Sequence, residues 1–260
     1  RVASALILVP VAIGAAYLGG WPFALFWMVA GLGVLWEWGR LLSARAAWSL
    51  VAVGAAALAA ACLAVLSARP RDAALVLGAA LAGAGLVARG WWGPAGILYA
   101  GSLVVAPILL RSDPGFGLVA LLLLFAVVWA TDIGAYFGGR LLGGPRLWPR
   151  VSPNKTWSGA VVGAGVGVAG ALAVARTAGL ENLSWIAVLA LALSAASQLG
   201  DLLESAIKRR FSVKDAGRLI PGHGGLMDRL DGFIAAALLA ALIGVARGGL
   251  EAPSRGLLIW

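Results

Sequence analysis

Apolar residues run along this chain in stretches of roughly 16 to 22, broken by short polar joints, and that is the length a helix needs to cross a bilayer. The stretches cover 2 to 18, 22 to 39, 46 to 66, 73 to 88, 94 to 110, 115 to 137, 158 to 178, 183 to 206 and 232 to 246. None alternates apolar and polar residues as a barrel strand would. Hydrocarbon accepts only helices or closed barrels, because the backbone must satisfy its own hydrogen bonds there. The pattern predicts an all-α, polytopic integral membrane helical bundle of about nine transmembrane helices, in a single membrane domain over 1–260. Within it, 1–110 reads as N-terminal spans. The segment 111–260 reads as the spans that carry the polar chemistry, with long polar loops at 138–157 and 207–231. The first stretch follows a single Arg as a signal peptide would, but it lacks a clear cleavage site and further spans follow it, so an uncleaved helix is the simpler reading.

Composition sharpens this picture. Apolar residues make up 62% of the chain and charged residues 12%, against about 25% charged in an ordinary soluble domain. No separate soluble domain fits in the remainder. The net charge of +9 does not point to nucleic acid, because the basic residues sit at the ends of apolar runs instead of forming a stripe. Lipid headgroups and a phosphate-rich substrate are the expected partners. With the N-terminus inside, the 20 Lys and Arg residues divide fourteen to six in favour of the inner side, as the positive-inside rule requires. Both long polar loops then share the cytoplasmic side. The lone Cys62 lies within an apolar run and reads as a packing residue. Gly134 and Gly138, and Gly159, Gly163 and Gly167, recur at the four-residue spacing that lets membrane helices approach closely. No long-period repeat supports an inverted-repeat transporter.

The acids are the informative residues, since a carboxylate inside a membrane helix is costly and usually functional. Asp72, Asp113, Glu181 and Glu251 fall in or beside short outer loops and need no special explanation. Glu37, at the inner end of the second stretch, reads as a snorkelling side chain or a partner for Arg40. Asp132, Asp201 and Glu204 lie deeper. Ser197, Gln198, Asp201, Glu204, Ser205 and Lys208 fall at spacings of three and four, so they form a polar stripe on one helix. Beyond them, Lys208 to Arg218 and Pro221 to Asp231 make a cationic, glycine-rich segment that contains the only histidine, His223. Such a segment suits anions. Asp228 and Asp231 stand one turn apart, and an oxygen-only donor set favours a hard cation such as Mg²⁺ beside a phosphate-bearing substrate.

The run through Ser205, Lys208, Arg209, Lys214, Asp215, Gly217, Pro221, His223, Gly224, Gly225, Asp228, Arg229 and Asp231 resembles the signature of the phosphatidate cytidylyltransferase (CDP-diacylglycerol synthase) family. Asp132, Gly134, Ala135, Tyr136, Phe137, Gly139 and Arg140, followed by Ser152, Pro153, Lys155, Thr156, Trp157 and Gly159, resemble its second polar region. Asn154 stands where that family frequently has Lys, and Ser158 where it usually has Glu. The resemblance implies attack of the phosphate of phosphatidic acid on the α-phosphorus of CTP, giving CDP-diacylglycerol and pyrophosphate for phospholipid biosynthesis. It implies catalytic roles for Asp201, Asp228, Asp231, Lys208 and Ser205. Asp201 and Asp228 are then the leading Mg²⁺ ligands, Asp231 is a third, and a second cation would lie nearby. Lys155, Arg209, Lys214, Arg218, Arg229 and Asp132 are the expected substrate-binding residues, and His223 orders the loop or donates a proton. The expected setting is a multi-pass protein of the cell inner membrane, amid membrane lipids, with its active site facing the cytoplasm and assembly as a homodimer among the expectations. The competing readings are a CTP-dependent lipid kinase, which moves the γ-phosphate, and a membrane transporter, which consumes no nucleotide.

Overall fold

The computed structural model describes residues 2–88, 90–217, 219 and 224–260. The chain forms helices α1 (Val2–Leu18), α2 (Gly20–Leu42), α3 (Ala44–Leu66), α4 (Pro70–Ala88), α5 (Trp92–Arg111), α6 (Gly117–Leu142), α7 (Trp157–Thr177), α8 (Leu183–Arg210), α9 (Met227–Gly248) and α10 (Pro253–Leu258). Seven of them are long and apolar enough to cross a membrane, namely Gly20–Leu42, Ala47–Leu66, Trp92–Arg111, Gly117–Leu142, Trp157–Thr177, Leu183–Arg210 and Met227–Gly248. The fold is that of a polytopic helical membrane protein. Among the described residues the apolar part of α1 is the shorter Val9–Leu18, and α4 is not among the seven.

The polar loop expected at 138–157 is largely secondary structure, and the one expected at 207–231 is shortened at both ends by helix. Helix α6 continues to Leu142, α8 to Arg210, and α9 starts at Met227. Hydropathy registers only the part of a helix that sits in hydrocarbon, whereas its backbone bonding continues equally well into polar surroundings. Gly143 and Gly144, both at positive φ, stop α6. A short antiparallel hairpin follows, in which β1 (Arg146–Trp148) pairs with β2 (Ser152–Thr156). The bundle is therefore α-helical with one small β-ribbon at one end.

Helix-to-helix bonds define two ends. At the far end, Arg111 Nε donates to the Ala16 carbonyl at 2.6 Å and Ser254 Oγ donates to that of Leu110 at 2.6 Å. Asp113 is 6% exposed and accepts from the N–H groups of Gly115, Phe116 and Arg255 at 3.0–3.1 Å. It is a buried clasp between α5, α6 and α10, more than the plain loop acid expected. At the opposite end, Trp38 Nε1 on α2 donates to the Trp92 carbonyl at the start of α5, 2.9 Å away. The C-terminal ends of α6 and α8 and the N-terminal ends of α7 and α9 gather at this second end. Between the two ends, the Trp27 ring of α2 stacks on Phe233 of α9 at 4.7 Å, with Phe125 of α6 5.5 Å from Phe233. These rings fix the depth of α9 against α2 and α6.

The glycines at four-residue spacing form the packing seam expected of them. A Cβ on Gly163 of α7 would lie 2.7 Å from the Thr131 carbonyl of α6, and one on Gly159 would lie 2.7 Å from that of Ala135. Gly163→Leu should therefore push α6 and α7 apart and destabilise the protein by about 1–3 kcal/mol or more, measured as a lowered midpoint of thermal unfolding in detergent.

Candidate active site

The site is built where α8 runs out and α9 begins. Helix α8 ends in a Schellman-type turn: Val213 N–H donates to the Lys208 carbonyl and Ser212 N–H to that of Arg209, both at 3.0 Å. Ser212 takes the left-handed conformation, φ 56, usually given to glycine. The turn directs the chain back across the end of the bundle toward α9. Arg209 helps to hold it there, donating to the carbonyls of Val151 and Val213 at 3.4 and 3.2 Å.

Helix α9 begins with no side-chain cap of its own, and its first N–H groups would be stranded. Glu37, from α2, supplies the acceptors. Its Oε1 takes the Leu226 N–H at 3.0 Å and its Oε2 the Met227 N–H at 2.8 Å, with the residue 1% exposed. The reading of Glu37 as a snorkelling side chain or a partner of Arg40 is corrected: its carboxylate points inward, where the positive end of the α9 dipole favours a negative charge. Two glycines make room for it. A Cβ on Gly225 would lie 2.9 Å from Glu37 Oε2 and 2.8 Å from Asp228 Oδ2, and one on Gly217 would run into Glu37 Oε1.

Asp228, in the first turn of α9, reaches back to its own approach segment. Oδ2 accepts from Gly225 N–H at 2.9 Å and from Ala216 N–H at 3.2 Å. Oδ1 meets Lys208 Nζ at 2.5 Å, and the same ammonium lies 2.7 Å from Glu204 Oε2. Lys208 thus bridges α8 and α9 through two carboxylates, of which Asp228 is partly exposed and Glu204 fully buried. The second pair is more open: Lys155 on β2 forms an ion pair with Asp201 on α8, whose side chain is 37% exposed. Asp231 accepts from the Gly232 N–H at 2.8 Å and lies in the electrostatic field of Asp201, Asp132 and Lys155. Asp132 occupies the exposed face of α6 beside Ile133 and Tyr136, and interacts with Asp201 and Lys155.

The polar stripe of α8 therefore splits. Gln198 donates to the Ala160 carbonyl of α7 at 3.3 Å and Asp201 turns to β2, while Glu204 and Lys208 turn to α9. Ser197 is buried against Gly232. Ser205 is half-buried and makes no side-chain hydrogen bond among the described residues. Lys214 and Arg229 are exposed near the two ends of the connecting segment. Arg218 and His223 lie outside the described residues. Ser158 bonds the Gly143 carbonyl and Thr156 Oγ1, so it locks the hairpin onto the end of α6. Asn154 is exposed on β2.

The matches to known proteins follow this geometry. The model of the Cytidylyltransferase family matches residues 1–246. The chain belongs to that family. A phosphatidate cytidylyltransferase of Brucella suis biovar 1 (strain 1330) is 44% identical over 261 residues, covering 98% of this chain and 96% of the relative. That of Brucella abortus biovar 1 (strain 9-941) is 45% identical over 251 residues, 94% and 92% of the two chains. That of Staphylococcus epidermidis (strain ATCC 35984) is 46% identical over 119 residues, 45% and 46% of the two.

For a cytidylyltransferase the donor set has a clear character. Among the described residues no three His, Cys, Asp or Glu side chains stand close enough to hold a metal ion unaided. Yet acids outnumber lysines here, and among the described residues neither carboxylate oxygen of the buried Glu204 has a hydrogen-bond partner, its compensation being the ion pair with Lys208. An excess of carboxylates of this kind suits a hard cation that completes its shell with phosphate oxygens and water. The acid overlooked in the sequence, Glu37, bore the same mark as Asp201 and Glu204, a carboxylate within the end of an apolar run.

Glu37→Ala should strand two backbone donors at about 1–3 kcal/mol each, release α9 from α2 and abolish transfer. Glu37→Gln keeps one acceptor oxygen and should retain more of both. Thermal unfolding and product formation, measured on the same preparations, separate the two variants.

Proposed function

We propose that the two lysine–carboxylate groups, Lys155–Asp201 and Lys208–Glu204–Asp228, form one site at which this nucleotidyltransferase joins CTP to phosphatidic acid, releasing CDP-diacylglycerol and pyrophosphate. Their convergence at one end of the bundle is the observation that carries the reading. An oxygen of the lipid phosphate forms the new bond to the α-phosphorus of CTP, and the bond from that phosphorus to the bridging oxygen of the leaving pyrophosphate breaks. The attacking oxygen is already ionised, so positioning and charge neutralisation matter more than a strong base.

Lys208 donates to Asp228 and forms an ion pair with Glu204, and its ammonium keeps a donor for a phosphate oxygen. Lys155, held by Asp201, is placed to do the same from β2. Asp201, Asp228 and Asp231 would hold Mg²⁺, with Asp132 beside them. When bound, the ion neutralises charge on the phosphates. Asp228 also organises the segment 216–225 through backbone bonds, so its duty is double. Arg218, His223, Lys214 and Arg229 lie in or beside the connecting segment and are assigned to the phosphates of CTP. Ser205, one turn from Asp201 and next to Glu204, donates to a phosphate or braces a ligand.

We further propose nine spans with the N-terminus inside, in a single domain of a cell inner membrane, and a site that opens to the cytoplasm. CTP arrives there from water, while the lipid tails stay in the bilayer along the exposed face of α6. A homodimer fits this arrangement. A single cysteine placed at Ser152 in a Cys62→Ala background should react with a membrane-impermeant thiol reagent in inverted vesicles and stay unreacted in right-side-out ones.

CTP labelled at the α-phosphorus should pass its label to lipid when phosphatidic acid and Mg²⁺ are supplied. Label entering lipid only from the γ-position would establish the kinase reading instead, and no CTP-dependent product at all would favour a transporter. Asp201→Asn and Asp228→Asn should each reduce transfer by at least about a thousandfold while leaving a folded membrane protein. Full activity in either would remove that residue from the metal set.

A further inference from the structure

Helix α5 carries a phenol that none of the roles above uses. The Tyr99 hydroxyl is buried and has no hydrogen-bond partner among the described residues, which is unusual for a tyrosine enclosed in a protein. Its ring is not loose. It lies 5.3 Å from the ring of Trp38, which is itself fixed by its Nε1 bond to the Trp92 carbonyl. A Cβ on Gly96 would come within 2.7 Å of that indole nitrogen, so α5 and α2 close tightly on the pair. Trp92 in turn packs edge-on against Phe211, at the end of α8, 4.9 Å away. Helices α2 and α5 and the end of α8 therefore hold this aromatic cluster in place.

The surroundings of the hydroxyl define what it can bond. The charges that reach it are those of Asp201, Glu204 and Asp228, the acids of both lysine–carboxylate groups, and of Asp231. It bonds to none of them. A phenol offers one donor and seeks an oxygen acceptor, and the acceptors that the proposed reaction brings among these acids are phosphate oxygens. We infer that Tyr99 is a substrate-contacting residue of the transferase site, its buried hydroxyl donating a hydrogen bond to a substrate phosphate oxygen. This rests on the transfer reaction proposed above. It gives α5, a helix of the N-terminal half, a direct part in the chemistry.

The test compares Tyr99→Phe with Tyr99→Leu in purified protein supplied with CTP, phosphatidic acid and Mg²⁺. The Phe variant keeps the ring and loses only the donor. It should melt at the wild-type temperature and lose roughly 10- to 100-fold in kcat/KM, the usual cost of one hydrogen bond to a charged group. The Leu variant should lose at least as much. A Phe variant within about threefold of wild type, with only Leu impaired, assigns the residue to ring packing and overturns the inference. Specific activity is taken per monodisperse molecule, so a Phe variant whose loss merely follows its loss of folded protein also overturns it. Wild-type protein that makes no labelled CDP-diacylglycerol overturns both this inference and the transfer reading. Active wild type with an equally active Phe variant overturns the role of Tyr99 alone.

Discussion

Helix α9 enters the bundle without a cap of its own, and the carboxylate of Glu37 on α2 meets that need. Two buried backbone donors, Leu226 and Met227, find their acceptors there, and leaving them bare would cost about 1–3 kcal/mol each. Much follows from this contact. The chain before α9 must pass within reach of the carboxylate, which demands glycine at 217 and 225. Asp228 is then set where it can close on Gly225 and Ala216 and still face Lys208. Lys208 carries the linkage to Glu204, so α2, α9 and α8 are joined through a single succession of charged hydrogen bonds. A loop between α8 and α9 could not by itself hold these groups to fractions of an ångström. Three helix ends can.

An acid-rich centre is at first sight a poor host for triphosphates and a lipid phosphate. The resolution lies in layers of alternating sign. Carboxylates from α8 and α9 hold Lys155 and Lys208 in place, and in the site we propose the remaining negative charge would attract a divalent ion. The lysines, with that ion, would then present positive charge to phosphate oxygens. Without the acids, two flexible ammonium groups would cost side-chain entropy to order at each binding event. Farther out, Arg140, Arg150, Arg210 and Lys214 are exposed at the same end and add the long-range attraction for anions.

The membrane class could be read from run lengths alone, since few physical alternatives exist for apolar stretches of this size. Helix ends could not. Asp228 and Asp231, one turn apart in the sequence reading, do stand in the first turns of α9, although the apolar run begins only at 232, because hydropathy reports the solvent around a helix and not its hydrogen bonding. The site acids on α8 were legible from spacing, as three- and four-residue steps put them on one face. What spacing could not reveal was that this face divides between β2 on one side and α9 on the other. Glu37 was misjudged for a related reason. Its neighbour Arg40 offered a sufficient local partner, while its true partners lie 189 and 190 residues away in sequence, where only the folded chain brings them.

That long separation bears on how the two halves of the chain work together. The N-terminal spans carry few charged groups, and from the sequence they read as generic scaffold. Glu37, Trp38 and Tyr99 show why they are more than that. The first fixes α9, the second packs against the third, and the third carries a buried hydroxyl that feels the charge of acids from the C-terminal half. A bundle of α6 to α9 alone would keep every motif residue and still lack the acceptor that seats α9. It would also lack the aromatic cluster of Trp38, Trp92 and Tyr99 that packs against the end of α8. The chemistry is concentrated in the last half of the sequence, but the geometry that makes it usable depends on both halves.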